Sequence, residues 1–360
     1  METTDRHDRA HFLIPDLTGN TGGSKWDREI YEKVTRWQGS TPLSMCFDYF
    51  GEQYKRISKQ ILRWNLVYKK NAEDILNCDY LFINASLAGY LRAFPWSKKH
   101  DCKVIVIIHH PEYMNFTGRK EKYHRESLLK LLRHADRIVT PNKYVYDWLK
   151  ARGFEEKSDN VGLDSRHELH RIVPPREKVL CFVGTVEPRK GLEYGIRAFA
   201  EFAKENPDYI YRIAGEFGSG NSDPEYCKSL TALVKELGVE DKVQFLGRIT
   251  DAEKARLYAG SSVFLFPSQT EGYGMVLLEA MSYGLPIVAF DTSAIPYTVN
   301  PSNGYTVPNK NTNLMAFALS ALASNPALYE RLSSGAYRTA EQMPTKEQTE
   351  RDWDEYLNSL

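Results

Sequence analysis

The sequence predicts an α/β protein of two parallel-sheet domains. Three observations lead there. Short apolar runs alternate with helical stretches in both halves, as in a parallel sheet flanked by helices. At 360 residues the chain is too long for one ordinary core. Near its middle, Ile172-Val173-Pro174-Pro175-Arg176-Glu177-Lys178 has the adjacent prolines and charges of a linker. The expected domains are 1–172 and 173–344, with a last helical segment at 345–360.

In the first half the expected strands are 11–15, 43–47, 80–84, 103–108 and 137–140. Ligands of open α/β sheets sit beyond the carboxyl ends of strands, so the residues after each strand matter. The first strand leads into a polar, glycine-rich loop containing Gly22 and Gly23. No Gly-Lys-Ser or Gly-Lys-Thr follows, so it is not a nucleotide triphosphatase loop. Residues 54–70 carry six cations and no acid, while Ile57, Ile61, Trp64 and Tyr68 recur at helical spacing. This is a basic amphipathic helix, suited either to an anionic membrane surface or to ordinary packing with its lysines solvated. The fourth strand ends in His109-His110. Adjacent histidines point to opposite sides and no third ligand has suitable spacing, so no metal is expected there.

In the second half the expected strands are 179–183, 209–214, 242–246, 262–266 and 286–290. After the first comes the turn from Gly184 and Thr185 to Arg189, Lys190 and Gly191, with a helix from about Leu192. Two cations at a helix start oppose its dipole unless an anion lies between, which favours a phosphate-bearing ligand over a solvated basic turn. After the fourth comes Glu271-Gly272-Tyr273-Gly274-Met275-Val276-Leu277-Leu278-Glu279. Its glycines allow a sharp turn into a helix that carries Met275, Leu278 and Met281 on one face and stops near Tyr283-Gly284-Leu285-Pro286. A helix N-terminus binds phosphate, and the two flanking carboxylates suit sugar hydroxyls. Together they suggest a nucleotide sugar.

Over residues 176–310 these motifs resemble retaining glycosyltransferases of family 4, with the GT-B fold of two Rossmann-like domains facing across a cleft. The resemblance implies that Lys190 binds the donor diphosphate, Glu279 the ribose hydroxyls, and Glu271 with the backbone of Gly272, Tyr273, Gly274, Met275 and Val276 the transferred sugar. Gly247, Arg248 and Ile249 would line the base pocket, and Gly22 and Gly23 would match the glycine loop that approaches donor phosphate or acceptor. His109 is the histidine expected to face the donor sugar, with His110 the alternative. Two positions depart from the pattern. Thr185 stands where many members have arginine, for which Arg189 is the candidate replacement, and Tyr297 stands where many have glutamate. The implied activity is retaining, metal-independent transfer from a UDP- or GDP-sugar to a glycan, glycolipid or small-molecule acceptor, without a resident cofactor. The rivals are a nucleotide-sugar 2-epimerase on the same fold and a non-catalytic nucleotide-sugar-binding protein. A dehydrogenase would need a Gly-x-Gly-x-x-Gly turn that residues 19–23 do not supply.

Composition narrows the classes further. No apolar run approaches the roughly 18 residues of a membrane span, and the opening residues lack a secretory signal pattern, so a cytoplasmic site is expected. Five scattered cysteines without a Cys-x-x-Cys pair read as reduced thiols. Net charge is zero, yet residues 1–174 hold 29 Lys and Arg against 23 Asp and Glu, so the first half is the basic half. Without a nucleic-acid motif, that excess does not suggest nucleic acid.

Overall fold

A computed structural model describes residues 8–14, 22–39, 42–45, 65–66, 68–96, 101–111, 118–162, 167–170, 177–218 and 222–360. The chain forms two compact units, residues 1–164 with 346–360, and residues 165–345. The Pro174-Pro175 pair, most of the basic segment 54–70 and Cys46 lie outside the described residues.

The first unit runs β1 (Asp8–Leu13), α1 (Gly22–Gln38), β2 (Leu43–Met45), α2 (Ala72–Leu76), β3 (Cys78–Asn84), β4 (Lys103–Ile107), α3 (Gly118–His134), β5 (Arg137–Thr140), α4 (Lys143–Lys150) and β6 (Ser158–Asn160). All neighbours in its sheet are parallel, in the order β2-β1-β3-β4-β5-β6. Val104 to Ile107 of β4 are fully buried, as a strand covered on both faces requires. The C-terminal helix Lys346–Asn358 belongs to this unit, where buried Trp353 donates its indole N–H to the Gly162 carbonyl at 3.0 Å. On α3, which carries the cations Arg119, Lys120, Lys122, Arg125, Lys130 and Arg133, Arg125 pairs with Glu121 at 3.4 Å, and Glu126 takes Arg92 at 2.9 Å.

The second unit runs β7 (Val179–Val183), α5 (Leu192–Ala203), β8 (Ile210–Ala214), α6 (Pro224–Glu236), β9 (Val243–Gly247), α7 (Asp251–Gly260), β10 (Val263–Phe266), α8 (Met275–Ser282), β11 (Ile287–Asp291), α9 (Ile295–Thr298), β12 (Gly304–Pro308), α10 (Thr312–Ser324) and α11 (Pro326–Glu341). Its sheet is again parallel, in the Rossmann order β9-β8-β7-β10-β11-β12. On α8 the buried residues are Leu277, Leu278, Ala280, Met281 and Ser282, while Met275 is half-buried at the first turn.

Each of the ten expected strands is present to within a few residues, and β6 and β12 were missed. Both missed strands are edges. Ser158-Asp159-Asn160 has no apolar residue, and β12 opens on glycine and closes on proline, so neither carries the buried-strand signal. The four described cysteines, Cys78, Cys102, Cys181 and Cys227, are buried and form no disulfide.

Candidate active site

In the second unit the chain reverses its direction of sheet growth between β7 and β10. Strands β8 and β9 are added on one side of β7, and β10 to β12 on the other. The loops leaving the carboxyl ends of these two neighbours therefore run side by side, which is where open α/β sheets hold ligands. Residues 184–191 form one loop and residues 267–274 the other. They are in close contact. Gly191 has φ +60°, and a Cβ there would lie 2.3 Å from the Pro267 carbonyl oxygen, so only glycine fits. The Gln269 N–H donates to the Arg189 carbonyl at 2.8 Å.

This contact brings Lys190 onto Glu271. The ammonium lies 2.5 Å from Glu271 Oε1, and the Ser268 hydroxyl donates to the same oxygen at 2.7 Å. Both charged residues are buried, at 7% and 8% exposure. Burial pushes the Glu271 carboxyl up, but the Lys190 and Arg189 charges and the two hydrogen bonds outweigh it and hold it below the ordinary value. Arg189 lies 3.8 Å from Glu271 and 2.7 Å from Glu187. Two of the protein's own carboxylates, Glu187 and Glu271, thus lie against these cations. The short 3₁₀ turn Pro188–Lys190 also separates them from the first turn of α5.

Gly274 ends the second loop at φ +84° and is the N-cap of α8, with no side chain capping the helix. The first amide N–H groups, at Met275 and Val276, thus lack a capping side chain beside Lys190's loop. Glu279 follows one turn later. Its Oε2 accepts from Tyr258 at 3.2 Å and meets the Lys254 ammonium at 3.0 Å. Burial works against the charge of Lys254, but Glu279 and Asp251 outweigh it and raise its pKa. Burial, then Glu279, pushes the Tyr258 phenol well up, so it stays a donor. Sequence reading missed Lys254 and Tyr258. Their spacing was the available signal: residues four apart share a helix face, and the Thr250–Glu253 capping box fixes where α7 begins.

The other expected residues of this unit sit at the same end of the sheet. Gly184 follows β7, with its N–H on the Ala214 carbonyl at 3.0 Å, and Thr185 is half-buried beside it. Gly247 closes β9 and accepts the Gly215 N–H at 2.9 Å. Arg248 pairs with Glu216 at 3.2 Å, and Ile249 is half-buried. Gly272 and Tyr273 are half-buried in the loop after β10, and Tyr297 is 48% exposed on α9.

In the first unit, growth reverses between β1 and β3. Gly22 and Gly23 open α1, and the loop before them lies outside the described residues. His109, just beyond β4, lies with Nε2 3.0 Å from Oδ1 of Asp27, a buried residue of α1 that sequence reading did not single out. Asn84 at the end of β3 donates its amide to both Asp27 oxygens, at 3.0 and 2.9 Å. His110 is half-buried.

Residues 166–339 match the family of glycosyl transferases group 1, and residues 92–160 match the glucosyltransferase 3-like N-terminal domain. An uncharacterized glycosyltransferase of Haemophilus influenzae is 34% identical over 46% of this chain and 44% of its own length. The D-inositol 3-phosphate glycosyltransferase of Streptomyces bingchenggensis is 34% identical over 47% of this chain and 38% of its own. The chain thus aligns with less than half the length of these curated relatives. Among solved structures, sucrose-phosphate synthase from Thermosynechococcus elongatus has a TM-score of 0.76 at 16% identity, covering 98% of each chain. Anabaena HepE, in complex with UDP and glucose, has a TM-score of 0.74 at 18% identity, covering 98% of this chain and 100% of that one. Two Rossmann-like parallel-sheet units of the GT-B type are therefore the fold, and residues 166–339 carry the match to glycosyl transferases group 1.

Proposed function

We propose that this chain is a retaining glycosyltransferase that moves a sugar from a nucleotide diphosphate sugar to a hydroxyl of a glycan, glycolipid or small-molecule acceptor, in surface glycan or glycolipid synthesis. The observation that carries the reading is the Lys190–Glu271 pair at 2.5 Å beside the uncapped start of α8, within a group 1 domain. Of the two candidate bases, UDP is favoured because HepE, a neighbour in fold, holds UDP and glucose.

The sugar's anomeric C–O bond to phosphate breaks, and the departing diphosphate needs positive charge. Lys190 has protons beyond the one given to Glu271, and with Arg189 and the first amides of α8 it supplies fixed donors. These groups make a resident metal dispensable. The acceptor oxygen bonds to the anomeric carbon on the face the phosphate leaves, and its proton passes to the leaving phosphate oxygen. Glu271 positions the sugar and stabilises developing positive charge, and Glu279 takes the ribose hydroxyls through Oε1, the oxygen that Lys254 and Tyr258 leave open. The reaction belongs in the cytoplasm, with the basic segment 54–70 as the contact to an anionic membrane surface.

Incubation with a panel of UDP- and GDP-sugars and hydroxylic acceptors tests this, read by proton NMR. Release of nucleoside diphosphate with a glycoside that keeps the donor's anomeric configuration is expected. An inverted product removes the retaining mechanism, an epimer formed from donor alone makes the chain an isomerase, and tight binding without turnover makes it a binding protein.

A further inference from the structure

We infer that Asp27 is a positioning residue that fixes the tautomer of His109, so that Nδ1 is the ring nitrogen offered to a substrate hydroxyl. The inference rests on the transferase reading. Asn84 is oriented first: its Oδ1 accepts the Ser86 N–H at 2.9 Å, which turns Nδ2 toward Asp27. Nδ2 then donates to both carboxylate oxygens, at 3.0 and 2.9 Å. The Asp27 side chain is 3% exposed, so water does not compete for it. An ionised carboxylate only accepts, so the 3.0 Å contact between His109 Nε2 and Oδ1 requires the proton on Nε2. In the neutral ring Nδ1 then carries the lone pair. Among the described residues Nδ1 makes no hydrogen bond, and the side chain keeps 19% of its exposure. Buried Trp26 meets the imidazole edge to face at 4.4 Å between centroids and limits its rotation.

The arrangement is built from three elements, with Asp27 from α1, Asn84 from β3 and His109 from beyond β4. It prepares an acceptor atom, so the group it recognises is a hydroxyl acting as donor. A sugar or acceptor lacking that hydroxyl, or methylated on it, gains nothing from His109.

The test labels histidine with ¹⁵N and reads the His109 signal, assigned by its loss in His109→Gln, in long-range proton–nitrogen NMR at a pH where the ring is neutral. The wild type is expected to carry its proton on Nε2, and Asp27→Asn to show mixed tautomers. Asp27→Asn should lower kcat at least tenfold, with donor KM and affinity for free UDP changed less than about twofold. A proton on Nδ1 in the wild type overturns the inference without any variant, as does unchanged kcat in Asp27→Asn. If the wild type transfers no sugar, the functional reading fails, and the tautomer still decides whether Asp27 orients the ring.

Discussion

The two units reverse sheet growth in the same way and fill the resulting position with different chemistry. In the second unit the position holds a buried ion pair with a second cation 3.8 Å away, from two loops whose paired residues are 81 apart along the chain. In the first it holds Asp27, Asn84 and His109, with separations of 57 and 82 residues along the chain. On the proposed reading, one site presents cations and N–H groups to an anion and the other a single oriented imidazole. Sheet topology fixes where chemistry gathers, and the loops decide what it is.

The largest effect expected from breaking this contrast is at Lys190. As an exposed turn residue, its loss would cost only ligand contacts. Because it is buried against Glu271, Lys190→Ala also strands a carboxylate, a change that destabilises by about 3–5 kcal/mol. Transfer should fall at least tenfold, from the loss of about 1.5–3 kcal/mol of charge-assisted bonding to the diphosphate. Lys190→Met with Glu271→Gln should recover most of the stability and none of the activity. Chemical denaturation with transfer assays separates these. Equal stability of Lys190→Ala and wild type would mean that the pair is not formed in solution.

The next effect concerns the two glutamates. Glu279→Ala should weaken binding of free UDP about tenfold or more, whereas Glu271→Gln should lower turnover with little change in free-nucleotide affinity. Lys254→Leu should resemble a mild Glu279 variant, since it removes the cation that holds Oε2. Calorimetric titration with UDP decides this, and equal losses for both glutamates would end the division of roles.

How much of each site was legible follows from the same contrast. Lys190, Glu271, Glu279 and the glycines lie in two short stretches, each spanning a strand end, a turn and a helix start, so local spacing exposed them. Asp27 sits in an ordinary amphipathic helix, and Asn84 closes an apolar strand. Neither has a neighbour in sequence that marks it, and only the parallel order β1-β3-β4 brings them to His109. Lys254 and Tyr258 were hidden for a related reason, since their partner lies on another helix. The ten strands with apolar runs were legible, whereas β6 and β12 were not, because Ser158-Asp159-Asn160 has no apolar residue and β12 is bounded by Gly304 and Pro308; edge position alone hid nothing, since β2 and β9 are edges too.

A smaller effect is expected in pH dependence. The folded-state pKa of Glu271 is depressed, so its stabilising contribution is complete above the ordinary glutamate value of about 4.3 and is lost as pH falls through the lower folded value. The wild type should therefore lose stability below about pH 4.3 more steeply than Lys190→Met with Glu271→Gln. His109→Gln, which leaves this pair intact, should keep the wild-type slope. Thermal melts across that range would break the contrast between the units if all three slopes were the same.

The smallest effect expected is on membrane attachment, through the basic segment of the first half. Lys55, Arg56, Lys59, Arg63, Lys69 and Lys70 occur without an intervening acid. Each cation near an anionic surface contributes about 1 kcal/mol, screened over a Debye length of about 8 Å at physiological ionic strength. Anionic vesicles should therefore pellet the protein, neutral ones should not, and added salt should release it. Replacing Lys55, Lys59 and Arg63 by glutamine should weaken pelleting while UDP affinity stays the same, since the Lys190–Glu271 pair lies in the other unit. Negligible pelleting with both vesicle types would return the segment to an amphipathic helix with solvated lysines, and the first unit would then contribute only its imidazole site.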